Sequence, residues 1–309
     1  MDLTRRHVIA GAAAAGMTAL SPSAAATTAQ PKGKRVLRFA HLTDIHVQPE
    51  KRAEEGMVHT LEHVQNLADK PDMIVTGGDL IMDAFRADRT RTKTQWDIFQ
   101  RVIKNNVSLP VEHCIGNHDV WHWPGEGREP ERGKKWACDA LGLPKPYRAF
   151  DRAGWRFIVL DSTFPRGEDY VARLDDEQYE WLVAEIAAAK GKPVIVVSHI
   201  PILAACAYLD GDNEKDGDWK VPGAWMHIDA RKIVKMFHKA DNVKLAISGH
   251  IHLVDRVDYL GTTFFCNGAV CGGWWNGNYQ ECEPGYALVN LYESGEYECE
   301  YVTTGWKSS

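Results

Sequence analysis

The stretch Ile115-Gly116-Asn117-His118-Asp119 follows a short apolar run and closes a predicted core strand. Gly116 allows the backbone to turn sharply at that point. Asn117 offers a neutral oxygen ligand, His118 offers a titratable imidazole, and the carboxylate of Asp119 is placed to orient that imidazole. Polar turns of this kind are common at strand ends, so a purely structural role stays open for this stretch taken alone.

The same layout recurs along the chain, with polar side chains at the ends of predicted core strands. Those strands cover residues 36–42, 72–76, 110–115, 193–199 and 244–248. The polar residues at their ends are Asp44 with His46, Asp79, Asn117 with His118, His199, and His250 with His252. Ligands of open α/β sheets bind outside the carboxyl ends of the strands, so we expect these side chains to converge. A lone Asp or His there usually satisfies a turn, but five clusters in equivalent places favour one shared site.

Helical periodicity separates these strands and predicts an α/β protein. The predicted helices cover residues 53–70, 92–105, 174–190 and 227–239. Two antiparallel strands are predicted within 147–162, and further strands over 254–260, 262–267, 285–292 and 296–303. Alternation of strands and helices is typical of an α/β sheet, here with a β-rich C-terminal part. Residues 120–133 and 208–225 are predicted to be loops, and residues 36–309 are expected to form one domain behind a linker over 27–35.

The composition is that of an ordinary globular protein. Of 309 residues, 44% are hydrophobic and 25% are charged, and the formal net charge is −6. Because there is no basic excess, no nucleic-acid partner is expected. There are seven cysteines. Four of them cluster near the C-terminus, where a disulfide is plausible in an exported protein, and the odd count leaves at least one thiol unpaired.

Residues 1–26 are predicted to be a signal peptide of the twin-arginine (Tat) route. Arg5 and Arg6 precede a small-residue apolar run over 8–20, and residues 21–26 supply an A-x-A cleavage site. We therefore expect an exported protein, periplasmic or extracellular. An amphipathic helix or a membrane anchor is the alternative, but the run is short and Gly/Ala-rich for a bilayer span. No other apolar run of the sequence is long enough for a transmembrane segment.

The residue types at the strand ends select the metal chemistry. Two carboxylates, one amide and four imidazoles suit borderline divalent metals such as Mn, Fe or Zn better than Mg or Ca. Such a set is too large for one metal that must keep an open position. It suits two metal ions about 3.5–4 Å apart that share one carboxylate. A pair of this kind polarises a phosphoryl oxygen and lowers the pKa of a bound water.

Taken together, the motifs resemble the calcineurin-like metallophosphoesterase superfamily, in its bacterial phosphodiesterase-like branch. In the family's order they are Asp44-x-His46, Gly78-Asp79, Gly116-Asn117-His118-Asp119, Ser198-His199 and Gly249-His250-x-His252. The resemblance extends over residues 44–252, most of the chain behind the predicted signal peptide. It implies a four-layer α-β-β-α sandwich, in which two mixed sheets are flanked by helices.

The resemblance also implies a role for each motif residue. One metal would be bound by Asp44, His46 and His252, the other by Asn117, His199 and His250, and Asp79 would bridge both. His118 matches the histidine that contacts the phosphate and protonates the leaving oxygen, and Asp119 would hold that imidazole. The implied reaction is hydrolysis of a phosphoric ester by in-line attack of a metal-bound hydroxide, without a phosphoenzyme.

Differences between this sequence and other branches of the superfamily argue against some of the functions found there. Met82 stands where purple acid phosphatases have a Tyr ligand, and His46 stands where they lack a His, so a tyrosinate-bound ferric iron is disfavoured. A phosphodiesterase is predicted, with a phosphomonoesterase as the alternative, acting on a small-molecule or lipid phosphoester. Trp121 and His122 are candidate substrate contacts. A non-catalytic metal- or carbohydrate-binding envelope protein is the alternative from another functional class.

Overall fold

The computed structural model describes residues 33–122 and 129–308. The predicted signal peptide, and all but the last three residues of the predicted linker, lie outside the described residues. The five α-helices of the described part are α1 Ala53–Gln65, α2 Arg89–Asn106, α3 Lys135–Leu141, α4 Asp176–Ala188 and α5 Ala230–Ala240. Its strands are β1 Arg35–Leu42, β2 Met73–Thr76, β3 Val111–Glu112, β4 Arg148–Arg152, β5 Trp155–Val159, β6 Thr163–Arg166, β7 Asp169–Ala172, β8 Val194–Val197, β9 Glu214–Lys215, β10 Asp218–Trp219, β11 Val243–Ser248, β12 Asp255–Tyr259, β13 Thr262–Cys266, β14 Gly285–Tyr292 and β15 Tyr297–Thr303.

Most of these strands form two mixed sheets. The first has five strands in the order β15-β14-β1-β2-β3, and the second has six in the order β12-β13-β11-β8-β5-β4. In the first sheet β1, β2 and β3 are parallel, whereas β14 runs antiparallel to β1. In the second sheet β5, β8, β11 and β13 are parallel, and β4 and β12 close its edges in the antiparallel direction. The parallel strands β1, β2, β3, β8 and β11 precede the predicted ligand motifs.

Alternating side chains of the central strands place the two sheets face to face. Phe39 of β1 packs with Phe157 of β5 and Ile195 of β8 in a core between the sheets. The next residue, Ala40, points to the opposite face and packs with α1 and α2. The outer face of the second sheet packs against α4 and α5 in the same way. Because successive side chains of a strand point to opposite faces, this alternation gives four layers, helix-sheet-sheet-helix, and confirms the predicted fold.

Acidic residues begin two of the outer helices. The side chain of Asp88 accepts a hydrogen bond from the backbone N–H of Arg91 at the start of α2. Asp175 does the same for the N–H of Gln178 at the start of α4. Each carboxylate satisfies one of the backbone donors that the first turn of a helix leaves unpaired.

Several elements differ from the sequence-based prediction. Strand β3 covers only Val111–Glu112, because the residues after it already form the turn that carries the motif. Helix α3 and the hairpin β6–β7 were not predicted, and the predicted loop 208–225 contains the short hairpin β9–β10. All seven cysteines are free thiols. Within the described residues, no helix has the length and apolar character that a bilayer crossing requires.

Candidate metal centre

The structure brings all seven predicted ligands together at the carboxyl ends of parallel strands of the two sheets. They stand behind β1, β2, β3, β8 and β11, and they are Asp44, His46, Asp79, Asn117, His199, His250 and His252. Six of them are almost completely buried, and His250 is partly exposed. Burial of this many polar groups is unfavourable unless they are paired with one another or with a cation.

Most of these ligands lie on strained backbone. The φ angles of Asp44, His46, Asp79, His250 and His252 are 54°, 46°, 51°, 75° and 62°. Left-handed backbone is uncommon outside glycine, and each such residue costs on the order of 1–3 kcal/mol. Strain persists where the surrounding structure enforces it, and it clusters at functional sites. Here it occurs in the turns that bring the ligand side chains together.

One group of ligand atoms surrounds the end of β1. His252 Nε2 lies 3.2 Å from His46 Nε2 and 3.3 Å from Asp44 Oδ1. The other carboxylate oxygen of Asp44, Oδ2, accepts hydrogen bonds from the Thr43 hydroxyl at 2.6 Å and the His250 backbone N–H at 2.8 Å. Asp44 Oδ1 is buried, and no hydrogen bond from the described residues reaches it. The carboxylate is therefore fixed by one oxygen and presents the other to the imidazoles.

A second group lies beside the first, around His199. His199 Nε2 is 3.0 Å from Asn117 Oδ1, 3.1 Å from His250 Nδ1 and 3.1 Å from Asp79 Oδ2. Asp79 Oδ2 is also 3.6 Å from His46 Nε2 of the first group. The remaining oxygen, Asp79 Oδ1, accepts the His118 backbone N–H at 2.8 Å. Asp79 thus stands between the two groups with one oxygen facing both, as a bridging ligand must.

Backbone carbonyls orient two of the imidazoles. His199 Nδ1 donates to the carbonyl of Gly77 at 2.9 Å, and His252 Nδ1 donates to that of Gly272 at 2.7 Å. Because a carbonyl only accepts, the hydrogen is on Nδ1, and the Nε2 atom facing the centre is the one free to bind a metal. This arrangement is typical of metal-binding histidines.

The electrostatics of the cleft also fit a cation. Burial lowers the pKa of His46 and that of His250 to about 3, so both rings are neutral and able to act as ligands. Burial also lowers the pKa of His199, but the facing carboxylate of Asp79 outweighs it and raises the value to about 9. The cleft therefore favours positive charge at its centre. The donor set and its charge both fit two divalent metal ions of the Mn, Fe or Zn type.

Glycines permit the close approach of the strand ends. An added methyl group at Gly249 would lie 1.9 Å from Thr43 Oγ1 and 2.2 Å from Asp44 Oδ2. At Gly116 it would lie 2.2 Å from Asp79 Oδ1. The glycines of the two motifs are thus needed for space, because any side chain there would displace a ligand.

The structure contradicts the predicted contact between Asp119 and the His118 imidazole. Asp119 Oδ1 accepts the backbone N–H groups of Leu80 and Ile81 at 2.8 and 3.2 Å, and Oδ2 accepts that of Gly116 at 2.8 Å. The His118 imidazole is held instead by the carbonyl of Met82, 2.5 Å from Nδ1. Asp119 therefore ties the turn that carries Asn117 to the turn that carries Asp79, and acts as a positioning residue.

His118 faces the space next to the two ligand groups. Its side chain is 29% exposed, whereas Asp79, 4.0 Å from His118 Nε2, is 3% exposed. With Nδ1 donating to the Met82 carbonyl, Nε2 is the atom directed toward a ligand. His118 also packs edge-on against His46, with ring centroids 4.7 Å apart. It is therefore a partly exposed imidazole at the mouth of the centre.

Two cavities of the described part meet at His118. One, of about 210 Å³, reaches His46 and Asp79 and continues to aromatic residues of the loops above. The other, of about 360 Å³, is lined by Asn117, Phe85 and Arg86. Tyr170 lines both cavities. The centre consequently has room on two sides.

The predicted substrate contacts Trp121 and His122 are not placed in these cavities. Trp121 is 4% exposed, packs edge-on against Trp136 at 5.0 Å, and donates from Nε1 to the Ala87 carbonyl at 3.2 Å. It is a core residue, since an indole so enclosed cannot reach a substrate. His122 packs against Trp121 and lines neither cavity that reaches His118.

Two further side chains lie near the centre, and the sequence did not place the first of them there. The thiol of Cys271 lies within 4.8 Å of the ligand atoms of His46 and His252, although the sequence suggested it only for a disulfide. Trp274 packs against His252 with ring centroids 4.7 Å apart. Both belong to the loop after β13, whose two hydrogen bonds to the segment after β1 could not be read from local sequence.

Comparison with known proteins gives one family and several distant relatives. Residues 37–254 match the family described as calcineurin-like phosphoesterase. The chain is 22% identical to a 3',5'-cyclic-nucleotide phosphodiesterase, alr5338 of Nostoc sp. strain PCC 7120, over 85% of this chain and 91% of that protein. It is 26% identical to the human serine/threonine-protein phosphatase CPPED1 over 62% of this chain and 57% of that protein.

A solved structure with a similar fold is that of a dimetal phosphatase from Danio rerio, LOC 393393. The TM-score is 0.62 at 14% sequence identity, and the alignment covers 88% of this chain and 97% of that one. At this identity the similarity establishes the fold alone.

Proposed function

This chain belongs to the calcineurin-like phosphoesterase family, and we propose that within it the protein is an exported phosphodiesterase with two bound metal ions. Metal-dependent hydrolysis of phosphoric esters is the activity of the family. The subclass, the export and the mechanism are the proposal. Its substrate is a small-molecule or lipid phosphoester.

One observation carries the proposal: Asp79 Oδ2 lies 3.6 Å from His46 Nε2 in one ligand group and 3.1 Å from His199 Nε2 in the other. A single carboxylate oxygen between two complete donor sets suits a dinuclear centre. When bound, the metals would polarise the phosphoryl oxygens and lower the pKa of an attacking water. The protein contributes fixed ligands, a buried cleft that favours positive charge, and room for a phosphoryl group beside His118.

We assign to His118 the role of contacting the phosphate and protonating the leaving oxygen. Its Nδ1–H is occupied by the Met82 carbonyl, which leaves Nε2 to hold a proton at the cavity. A protonated imidazole there stabilises the developing charge on the leaving alkoxide and then neutralises it. Attack in line with the P–O bond that breaks places the water on the ligand side of phosphorus and the leaving group on the His118 side.

Two cavities at the centre favour a diester over a monoester. A phosphodiester carries two organic substituents, and spaces of about 210 and 360 Å³ meet at His118. A monoester would need only one of them. A relative that aligns with 85% of this chain is also named a phosphodiesterase. The phosphatase name of CPPED1 keeps a phosphomonoesterase as the second candidate.

The non-catalytic alternative predicts a site in which a metal ligand or a catalytic residue is missing. A metal- or carbohydrate-binding envelope protein derived from this fold would have no need of His118 or of a complete second ligand group. Both are present here, and His118 is partly exposed toward the cavities.

Hydrolysis assays test the proposed function directly. The metal-reconstituted protein is incubated with bis-p-nitrophenyl phosphate, p-nitrophenyl phosphate and cyclic AMP. We expect the diester to have the highest kcat/KM, and a higher value for the monoester would replace the proposed subclass with the second candidate. Absence of hydrolysis of all three would refute the proposed function.

Export is tested in the cell. The paired arginines Arg5 and Arg6 support a Tat signal, and these residues lie outside the described part of the chain. Replacing both by Lys is expected to retain the protein in the cytoplasm, measured by cell fractionation in a Tat-competent bacterium. Unchanged periplasmic or extracellular recovery of the double variant would contradict the route.

A further inference from the structure

We propose that the cavity beside the metal centre binds a cationic amino-alcohol group, so that the preferred substrates are zwitterionic phosphodiesters of the choline or ethanolamine type. The inference rests on the proposed phosphodiesterase function and names its substrate class. The phosphate would face the metal ligands, and the ammonium group would occupy the aromatic end of the 210 Å³ cavity.

Aromatic side chains form the far end of this cavity. Trp225, Trp274 and Tyr279 line it, beyond His252. The rings of Trp274 and Tyr279 stand at 87° to each other with centroids 5.4 Å apart. Walls at right angles form a corner, which suits a compact cation contacting several ring faces. A flat nucleobase would instead be stacked on a parallel ring.

One carboxylate completes the aromatic corner. Asp210 lines the cavity and is only 8% exposed. Its Oδ1 accepts a hydrogen bond from the Tyr279 hydroxyl and a long one, 3.5 Å, from Gln280. Its Oδ2 receives no hydrogen bond from the described residues. Oδ2 is not fully enclosed by the described residues, so a positive group that enters the cavity can pair with it.

The charges lining the cavity select a zwitterion. Among the described residues that line it, there is no Lys or Arg, and the acidic groups are Asp79 at the metal end and Asp210 at the aromatic end. A second anionic group on the substrate would be repelled by Asp210. A positive group would gain both the charge attraction and the ring faces, which together recognise quaternary ammonium ligands.

The loop that supplies Trp274 has a strained backbone, and strain of this kind is common at functional sites. Trp274 and Trp275 have φ angles of 51° and 67°. For bulky residues such values are true outliers. They are enforced by the hydrogen bond from Trp275 Nε1 to the His46 carbonyl, 3.1 Å, and by close packing of the Trp275 ring on Gly56. Because Trp275 anchors the loop, Trp274 is held over His252.

A matched pair of substrates tests the inference on the wild-type protein. p-Nitrophenylphosphorylcholine and 3,3-dimethylbutyl p-nitrophenyl phosphate have the same shape but differ by the positive charge. Hydrolysis adds water across one P–O bond, and nitrophenolate release reports it. We expect kcat/KM to be about tenfold higher for the choline ester, since charge and cation–π contributions of this size are typical of a desolvated site.

Variants locate the effect in the cavity. Asp210→Asn and Trp274→Leu are each expected to move the ratio of the two kcat/KM values toward one. Asp212→Asn is the matched control, because this carboxylate in the same segment is 89% exposed and should leave the ratio unchanged. Thermal denaturation and metal content verify that each variant is folded. If a variant is not, inhibition of the wild type by choline is compared with inhibition by 3,3-dimethylbutanol, and choline is expected to bind about tenfold more tightly.

The outcomes separate this inference from the proposed function. Hydrolysis of both esters at equal kcat/KM would overturn the cationic site and leave the phosphodiesterase intact. A higher kcat/KM for cyclic AMP than for the choline ester would assign the aromatic walls to a nucleobase and also overturn it. Hydrolysis of none of the esters, including bis-p-nitrophenyl phosphate, would refute the proposed function itself.

Discussion

The strand ends and the segments above them are built in opposite ways. At the strand ends, Asp44 and His199 are fully buried and fixed by backbone hydrogen bonds. In the segment 204–225 above them, Leu209 is 65% exposed and Trp219 is 55% exposed. Both regions lie within residues 37–254, which match the family, and the strand ends carry the ligands for the chemistry that its members share. The segments above supply the far end of the cavity, where one member of a family can differ from another in substrate.

The two regions should also respond differently to substitutions. In the buried region, ligands lie on left-handed backbone and neighbouring strands leave no free space, so even a methyl group collides. In the segment 204–225, Ala204 and Ala207 pack in a small core, but Leu209 and Trp219 are exposed and the turn at Gly217 has free space around it. Changes at the strand ends should therefore abolish the reaction, whereas changes above should alter which substrate is chosen.

The largest expected difference is between two glycines. Gly249→Ala places a methyl group 1.9 Å from Thr43 Oγ1 and 2.2 Å from Asp44 Oδ2, so we expect kcat/KM to fall by at least about a hundredfold, as when a key electrostatic contact is removed. Gly217→Ala, with nothing within 4 Å, should cost only about 1 kcal/mol of stability for its left-handed backbone. Kinetics and thermal denaturation of both variants measure this. Equal losses of activity would contradict the contrast between the two regions.

His118→Ala is expected to lower kcat by roughly 10²–10⁴-fold, because the variant has no proton donor for the leaving oxygen. Its metal content should stay at the wild-type value, since His118 belongs to neither ligand group. The matched control is His122→Ala, for which kcat should be unchanged because His122 lines neither cavity. Leaving groups of low pKa need less protonation, so the loss should shrink for a nitrophenyl ester. A loss that is the same for alkyl and nitrophenyl esters would argue against the protonating role.

Asp119→Asn should have a smaller effect on activity. It tests whether Asp119 positions the turns of the metal centre or orients the His118 imidazole. The amide cannot accept all three N–H groups of Leu80, Ile81 and Gly116, so the free energy of unfolding should fall by about 1–3 kcal/mol. Since Asp119 does not contact the His118 ring, the shape of the pH profile of kcat should match that of the wild type. A profile displaced by a full pH unit would restore the role predicted from the sequence.

The smallest expected effect on catalysis belongs to Trp121. Trp121→Leu removes a buried ring that packs on Trp136, and we expect about 3 kcal/mol of lost stability. KM for a phosphodiester should be unchanged within about twofold, because the indole is enclosed in the core. Chemical denaturation and steady-state kinetics check the two parts. A large rise in KM with unchanged stability would return Trp121 to the substrate site.

From local sequence, the metal-ligand residues could be predicted better than the contacts between distant residues. The pairs Asp44–His46 and His250–His252 stand directly behind strands, so their position followed from the strands themselves. The contact between Asp119 and Leu80 spans 39 residues, and that between Tyr279 and Asp210 spans 69. Such contacts depend on how turns from separate strands close on each other, and no local pattern encodes them.

The four-layer arrangement shows the same limit. Strand and helix periodicity predicted an α/β protein, but the pairing of two sheets followed from the family resemblance and not from the pattern. Helix α3 and hairpin β6–β7 lie in segments with few apolar repeats, where tertiary contacts decide the structure. The hairpin nevertheless brings Tyr170 to both cavities, so part of the substrate region could not be predicted from sequence.

The most direct test of the dinuclear centre is the metal stoichiometry of chelator-stripped protein titrated with Mn²⁺, for the wild type and Asp79→Asn, with hydrolysis of bis-p-nitrophenyl phosphate followed in parallel. We predict two ions per chain for the wild type, with hydrolysis restored only as the second binds. For Asp79→Asn we predict fewer than two ions, and a loss of roughly a thousandfold in kcat/KM. Full hydrolysis by the stripped protein, or two tightly bound ions and unchanged hydrolysis in Asp79→Asn, would contradict a centre bridged by this carboxylate.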